Sequence, residues 1–129
     1  MQFITDDIVT YIYSRTEPYA DIKHNVFPGA SSNEIIIRPD PSPKRETEYF
    51  DESAESSLQF EIQCKADKEN QETARAQLET FIAILNMAPG IPLTDATFIK
   101  CECVAMPSLV SYDEAGEYIL SATFRILFS

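Results

Sequence analysis

Hydrophobic and polar residues alternate most cleanly toward the C-terminus, between Pro107 and Ser129. Tyr118, Leu120, Ala122, Phe124, Ile126 and Phe128 share one face of a period-2 repeat, while Ile119, Ser121, Thr123, Arg125 and Leu127 share the other. Leu109 to Tyr112 precedes this run, and Asp113-Glu114-Ala115-Gly116 between them supplies turn chemistry. The pattern predicts a β-hairpin. A second clear alternation places Leu58, Phe60, Ile62, Cys64 and Ala66 on one side and Gln59, Glu61, Gln63 and Lys65 on the other, which predicts a half-buried strand with one polar face. Thr97 to Met106 repeats the pattern, with Ile99, Cys101, Cys103 and Ala105 on one face. Asp21 to Phe27 and Glu34 to Arg38 read as two shorter strands, with turn residues from Pro28 to Asn33 between them.

Two segments follow a helical period instead. From Phe3 to Arg15, Ile4, Ile8, Tyr11 and Ile12 form one apolar stripe, and Thr5, Asp6 and Asp7 load the first turn with capping and acidic groups. Ile8-Val9 and Ile12-Tyr13 leave a strand open as the alternative there. Asp67 to Asn70 carries helix-starting residues. The stripe Ala74, Leu78, Phe81, Ile82 and Leu85 then predicts an amphipathic helix to about Met87, stopped by Pro89-Gly90-Ile91-Pro92. The reading is an α+β fold: a mainly antiparallel sheet of about five to six strands, a long helix packed on it and an N-terminal helix.

At 129 residues the chain is expected to be a single domain, 1–129. Within it, 39–56 reads as a long mobile loop, because Pro39, Pro41 and Pro43 remove backbone donors and charge and serine fill the rest. The loop holds two aromatics, Tyr49 and Phe50, in hydrophilic surroundings. They either fold back on their own domain or anchor a partner. No basic start followed by an apolar run opens the chain, and no run is apolar enough for a membrane span, so neither a signal peptide nor a membrane partner is expected.

Charge narrows the partners. Acidic residues number 21 against 10 basic ones, a formal net charge of −11, which disfavours a direct grip on nucleic acid; solubility alone is the plainer explanation. The three cysteines, Cys64, Cys101 and Cys103, fall in strands and are odd in number, which points to buried reduced thiols in a cytosolic product rather than a disulfide framework. Cys101-x-Cys103 lacks the turn spacing and further ligands of a zinc site. The lone His24 has no partners arranged for general-base work, and reads as a polar surface residue. Three glycines leave no room for a phosphate-cradling loop. Nothing points to an enzyme, a cofactor or a metal.

The order of several motifs resembles the small minor capsid proteins of tailed bacteriophages. They are Glu34-Ile35-Ile36-Ile37-Arg38-Pro39, then Lys44-Arg45 followed by Tyr49-Phe50-Asp51 and Ser53, and then the strand from Leu58 to Asp67 leading into a helix. The closing motif is Pro107-Ser108-Leu109-Val110 with Asp113-Glu114, Gly116 and Tyr118. The resemblance spans roughly residues 20–129, and Glu52 departs from it by standing where the family commonly has Gly. It implies a tail terminator or head–tail joining protein: a structural virion subunit, made in the bacterial host cytoplasm, that forms a ring, typically a hexamer. Such a ring caps the tail tube and docks it to the head. Its implied partners are copies of itself and tail-tube or connector proteins, with DNA only passing through.

On that reading Arg45, Tyr49, Phe50 and Asp51 are candidate subunit-interface residues. Asp113, Glu114 and Glu117 are candidate lumen residues whose carboxylates would keep DNA from adhering; an ordinary solvated turn is the plainer alternative for them. A competing reading of a different class is an intracellular acidic binding module or inhibitor with a basic protein partner.

Overall fold

The computed structural model describes residues 2–27, 29, 33–39, 56–94, 96–112 and 117–129, and the side chains of these apart from 2, 3 and 106–112. Helix α1 (Gln2–Arg15) is followed by strands β1 (Ile22–His24), β2 (Glu34–Pro39) and β3 (Ser56–Asp67). A 3-10 turn, Lys68–Asn70, leads into helix α2 (Gln71–Leu85), and strands β4 (Phe98–Tyr112) and β5 (Glu117–Phe128) follow. The five strands form one sheet in the order β1-β2-β3-β5-β4. All neighbours pair antiparallel except β1 and β2, which are parallel. The fold is α+β, as the hydrophobic patterning predicts.

Strand β3 is the centre of the sheet. Its alternation puts Leu58, Phe60, Ile62, Cys64 and Ala66 on the face that both helices cover, and all five are fully buried. In register across the ladder to β5, Phe60 faces Phe124 and the rings stack with centroids 5.4 Å apart, an arrangement that adds about 1 kcal/mol beyond the area buried. Helix α2 closes this face with Ala74, Leu78, Phe81 and Leu85 at its helical period, while α1 adds Ile4, Ile8, Tyr11 and Ile12. The stripes expected of both segments are buried except for Ile82, which is only partly buried against the core, and helix, not strand, is the outcome for α1.

Local chemistry sets the element ends. Asp67 caps the 3-10 turn, accepting from the Asn70 backbone N–H at 3.0 Å and from its side-chain amide at 2.8 Å. α1 begins at Gln2, earlier than expected, so Asp6 and Asp7 lie past its first turn and serve tertiary contacts instead of the helix dipole. α2 stops at Leu85, before the Pro89-Gly90 breaker. Asn86 closes its last turn through an N–H bond to the Ile82 carbonyl, and Met87 takes a left-handed φ of 58°.

The remaining departures from the sequence reading are local. β1 keeps only three residues and pairs parallel to β2, Ile22 opposite Ile35 and His24 opposite Ile37. Parallel neighbours ordinarily need a crossover of a dozen residues. Here the strand is so short that the chain has only about 10 Å to travel back, and Asn25 and Gly29 turn it with φ values of 76° and 80°. Leu109 to Tyr112 is no separate strand: β4 runs unbroken from Phe98 through Pro107, which an edge position tolerates, with register shifts on either side. A further shift between Phe98 and Lys100 turns Ile99 off the core face. Phe98 packs against the core beside buried Cys101, while Ile99 stays 40% exposed and Ala105 is exposed.

Met87 offers a test of this account of the α2 terminus. Its side chain is 70% exposed, so Met87→Gly loses little packing and relieves a left-handed residue. The substitution is expected to raise the unfolding free energy by about 0.5–1 kcal/mol in urea titration. A loss of stability would refute the claim that Met87 is held there at a conformational cost.

Candidate functional site: the polar face and edges of the sheet

The side chains that alternate away from the helices form the second face of the sheet. On this side Gln59 and Glu61 are half-buried as expected, but the end of β3 is buried further than a half-buried strand would be: Gln63 is 5% and Lys65 8% exposed. Ile36 of β2 and Ser121 of β5 lie in the row through Gln63 and are equally buried. The next row contains the least exposed ion pair of the described residues. Lys65 Nζ lies 2.7 Å from Glu34 Oε1, with Lys65 also above the Phe27 ring at 5.2 Å. Glu34 further accepts the Gly29 N–H. Residue-type patterning alone did not mark this pair; the antiparallel register of β2 and β3 brings it together.

Further rows carry two more clusters. The Glu61 carboxylate receives the Arg38 guanidinium on one oxygen and the Ser121 hydroxyl on the other at 2.9 Å. Glu102 on β4 lies between Lys100 at 3.3 Å and Arg125 at 3.4 Å. Lys65 with Glu34, Arg38 with Glu61 and Arg125 with Glu102 thus pair across neighbouring strands, while Lys100 meets Glu102 within β4. The cross-strand contacts fix strand register through charge.

The candidate chemical groups are similarly occupied by structure. His24 is not a plain surface residue: its side chain is 24% exposed and Nε2 contacts Asp6 Oδ1 of α1 at 2.8 Å, tying that helix to β1. The other ring nitrogen, Nδ1, is buried without a hydrogen-bond partner, which fits an Nε2–H tautomer donating to the carboxylate. A cavity of about 310 Å³ lies between α1 and the segment after α2, bordered by Asp7, Tyr11, Leu93 and Thr94. Asp7 is already engaged, accepting the Thr94 N–H at 2.7 Å and its hydroxyl at 2.8 Å.

All three thiols are free. Burial pushes Cys64 and Cys101 up to about 12, and raises Cys103 in the same direction. Cys103 is only partly buried and contacts the Ala105 carbonyl at 3.3 Å. Among the described residues no group of three or more His, Cys, Asp or Glu is placed to hold a metal ion. No helix there is long and apolar enough to cross a membrane.

Of the candidate site residues, only Glu117 lies among the described ones. It opens β5, partly buried and directly across from Asp67. Asp113 and Glu114 lie outside the described residues, as do Arg45, Tyr49, Phe50 and Asp51 and most of the expected 39–56 loop.

Comparison with known proteins bears on the fold alone. No protein family and no curated protein matches the chain. Among solved structures the fold is similar to that of a chain in the virion of a native gene transfer agent particle. The TM-score is 0.64 at 13% sequence identity, covering 94% of this chain and 83% of the other.

Two predictions follow the chemistry of this region. Lys65→Met strands the buried Glu34 carboxylate and should cost about 3 kcal/mol in urea unfolding, whereas Lys65→Met combined with Glu34→Leu should recover most of that loss. A double variant no more stable than the single one would show that the charges do not act as a pair.

The thiols should separate by reactivity. In the folded protein a disulfide reagent should titrate Cys103 first, while Cys64 and Cys101 become reactive only on unfolding. Because their folded values lie above the ordinary thiol value of 9.0, unfolding releases protons on the alkaline side. Stability should therefore hold below pH 9.0 and fall as pH rises toward about 12. Equal reactivity of all three in the native state would contradict this.

Proposed function

We propose that the protein is a structural subunit of a tailed-phage virion: a tail terminator or head–tail joining protein whose ring caps the tail tube and docks it to the head. One observation carries the reading. The fold likeness to a chain of a gene transfer agent virion extends over nearly the whole chain. It accords with the minor capsid resemblance drawn separately from the order of motifs between residues 20 and 129. Neither rests on one short match.

The physical properties suit this role. Cys64 and Cys101 are buried in the core, and cross-strand charge pairs hold neighbouring strands together. A net charge of −11 suits a conduit that DNA traverses without binding. On this proposal Arg45, Tyr49, Phe50 and Asp51 contribute to subunit contacts, and Asp113, Glu114 and Glu117 turn toward the lumen. These assignments rest on the sequence.

Mixing the purified protein with polymerising tail-tube protein tests the role. Electron microscopy should show tubes ending in a ring of this protein, and added protein should halt their growth. Tubes that elongate unaffected, with the protein left in the unbound fraction, would overturn the terminator assignment.

A further inference from the structure

Beside α1 lies a groove that the fold itself leaves open, the cavity of about 310 Å³. Its size is at the lower end of ligand pockets, which run from roughly 300 to 1,000 Å³. One wall is helical: Asp7, Thr10 and Ser14 follow one another along about 10 Å of α1. The other is the segment after α2, with Leu93 and Thr94. The lining is mostly apolar, with Asp7 as its carboxylate.

Hydrogen bonds give this groove a polarity. Thr10 donates its hydroxyl to the Asp6 carbonyl at 3.0 Å, and Ser14 donates its own to the Tyr11 carbonyl at 2.6 Å. Thr94 donates its hydroxyl to Asp7 Oδ1 at 2.8 Å and its N–H to Oδ2 at 2.7 Å. With their protons committed, the three hydroxyls offer only lone pairs. Each Asp7 oxygen has accepted one bond and keeps a lone pair as well. Both bonds come from neutral groups, so the charge on Asp7 is not balanced by an ion pair. Arg15, on the same helix, lies over the Tyr11 ring at 5.0 Å instead.

Such a lining fits a donor-rich cation on an apolar stem. One lone pair on each carboxylate oxygen matches the two parallel N–H groups of a guanidinium fork better than the point charge of an ammonium. A free guanidinium compound would be held poorly. Thr10, Ser14 and Thr94 are exposed, and an ion pair open to water contributes little by itself. The cation therefore has to arrive on a chain that makes further contacts, and the length of the groove suits about three residues of extended peptide. A net charge of −11 draws a basic segment toward it.

We propose that this groove receives an arginine of a partner polypeptide, its guanidinium forked onto Asp7 and the adjoining residues lying between Leu93 and Ser14. The site stands on its own geometry and does not depend on the virion role.

Amide NMR of the labelled protein, titrated with the end-blocked peptide Ala-Leu-Arg-Leu-Ala, tests it. Shifts should concentrate at Asp7, Thr10, Leu93 and Thr94 and weaken as salt rises. Binding should be about fivefold tighter than for the same peptide with citrulline, and about threefold tighter than with lysine. Asp7→Asn, which keeps the shape and removes the charge, should abolish the preference for arginine over citrulline. Thr10→Lys leaves Asp7 in place but sets an ammonium one turn from it, and should weaken binding about fivefold. Thr80→Lys is the control. Thr80 is an exposed α2 residue with the same hydroxyl bond to the carbonyl four residues back, so the same charge is added elsewhere. It should bind as the parent does, and both lysine variants should melt with the parent.

Shifts spread evenly over the acidic surface would reduce the effect to general counterion attraction and overturn the site. Equal binding of the citrulline or lysine peptide would overturn the guanidinium fork, and binding unaffected by Thr10→Lys would overturn the location. A blocked single arginine bound as tightly as the peptide would make a free guanidinium compound the occupant and overturn the polypeptide partner.

Discussion

Every other element is placed by the two-sided burial of β3. Its apolar face is roofed by α2 and α1, and its opposite face buries Gln63 and Lys65. A slip of one residue would exchange those two sets and leave a lysine in the helix-covered core. The twelve-residue ladder to β5 and the six-residue ladder to β2 are therefore fixed by side chains on both sides. Burial of Lys65 is tolerable because the β2 register delivers Glu34 to it. The ion pair and the hydrophobic core are thus two results of one register.

Much of this was legible in the sequence because the signals were periodic. The face shared by Leu58, Phe60, Ile62, Cys64 and Ala66 required only alternation, and the α2 stripe only the helical repeat. Legibility failed where an irregularity interrupted a period. One shift between Phe98 and Lys100 removed Ile99 from the face that alternation had assigned it. Parallel pairing of β1 could not be inferred from the turn-forming composition between Pro28 and Asn33, because composition shows that a chain bends and not which way it returns. Contacts such as His24 with Asp6, or Asp7 with Thr94, join distant segments and carry no local signature.

The surfaces were less legible than the core for a related reason. Periodicity identifies residues that agree with their neighbours, whereas an interaction surface is made of residues that disagree with theirs. Val26 and Met87 each stand alone in sequence, just outside β1 and α2, and only the fold shows both to be exposed. The sequence-derived interface candidates, Tyr49 and Phe50, were conspicuous instead because they are aromatic within a hydrophilic stretch.

The strand order carries a consequence for how the chain acquires its structure. β3 finds its partner on one side in β5, and the whole of α2 and β4 intervenes between them in sequence. A ladder of such separation must close a long loop before its contacts contribute, which slows folding relative to a chain rich in local pairings. During synthesis β3 waits, with one edge unpaired and an apolar face that α2 only partly covers, until β5 has been made. The sheet is thus completed late and at its centre, so shielding of the nascent chain over that interval bears directly on the yield of assembly-competent subunits.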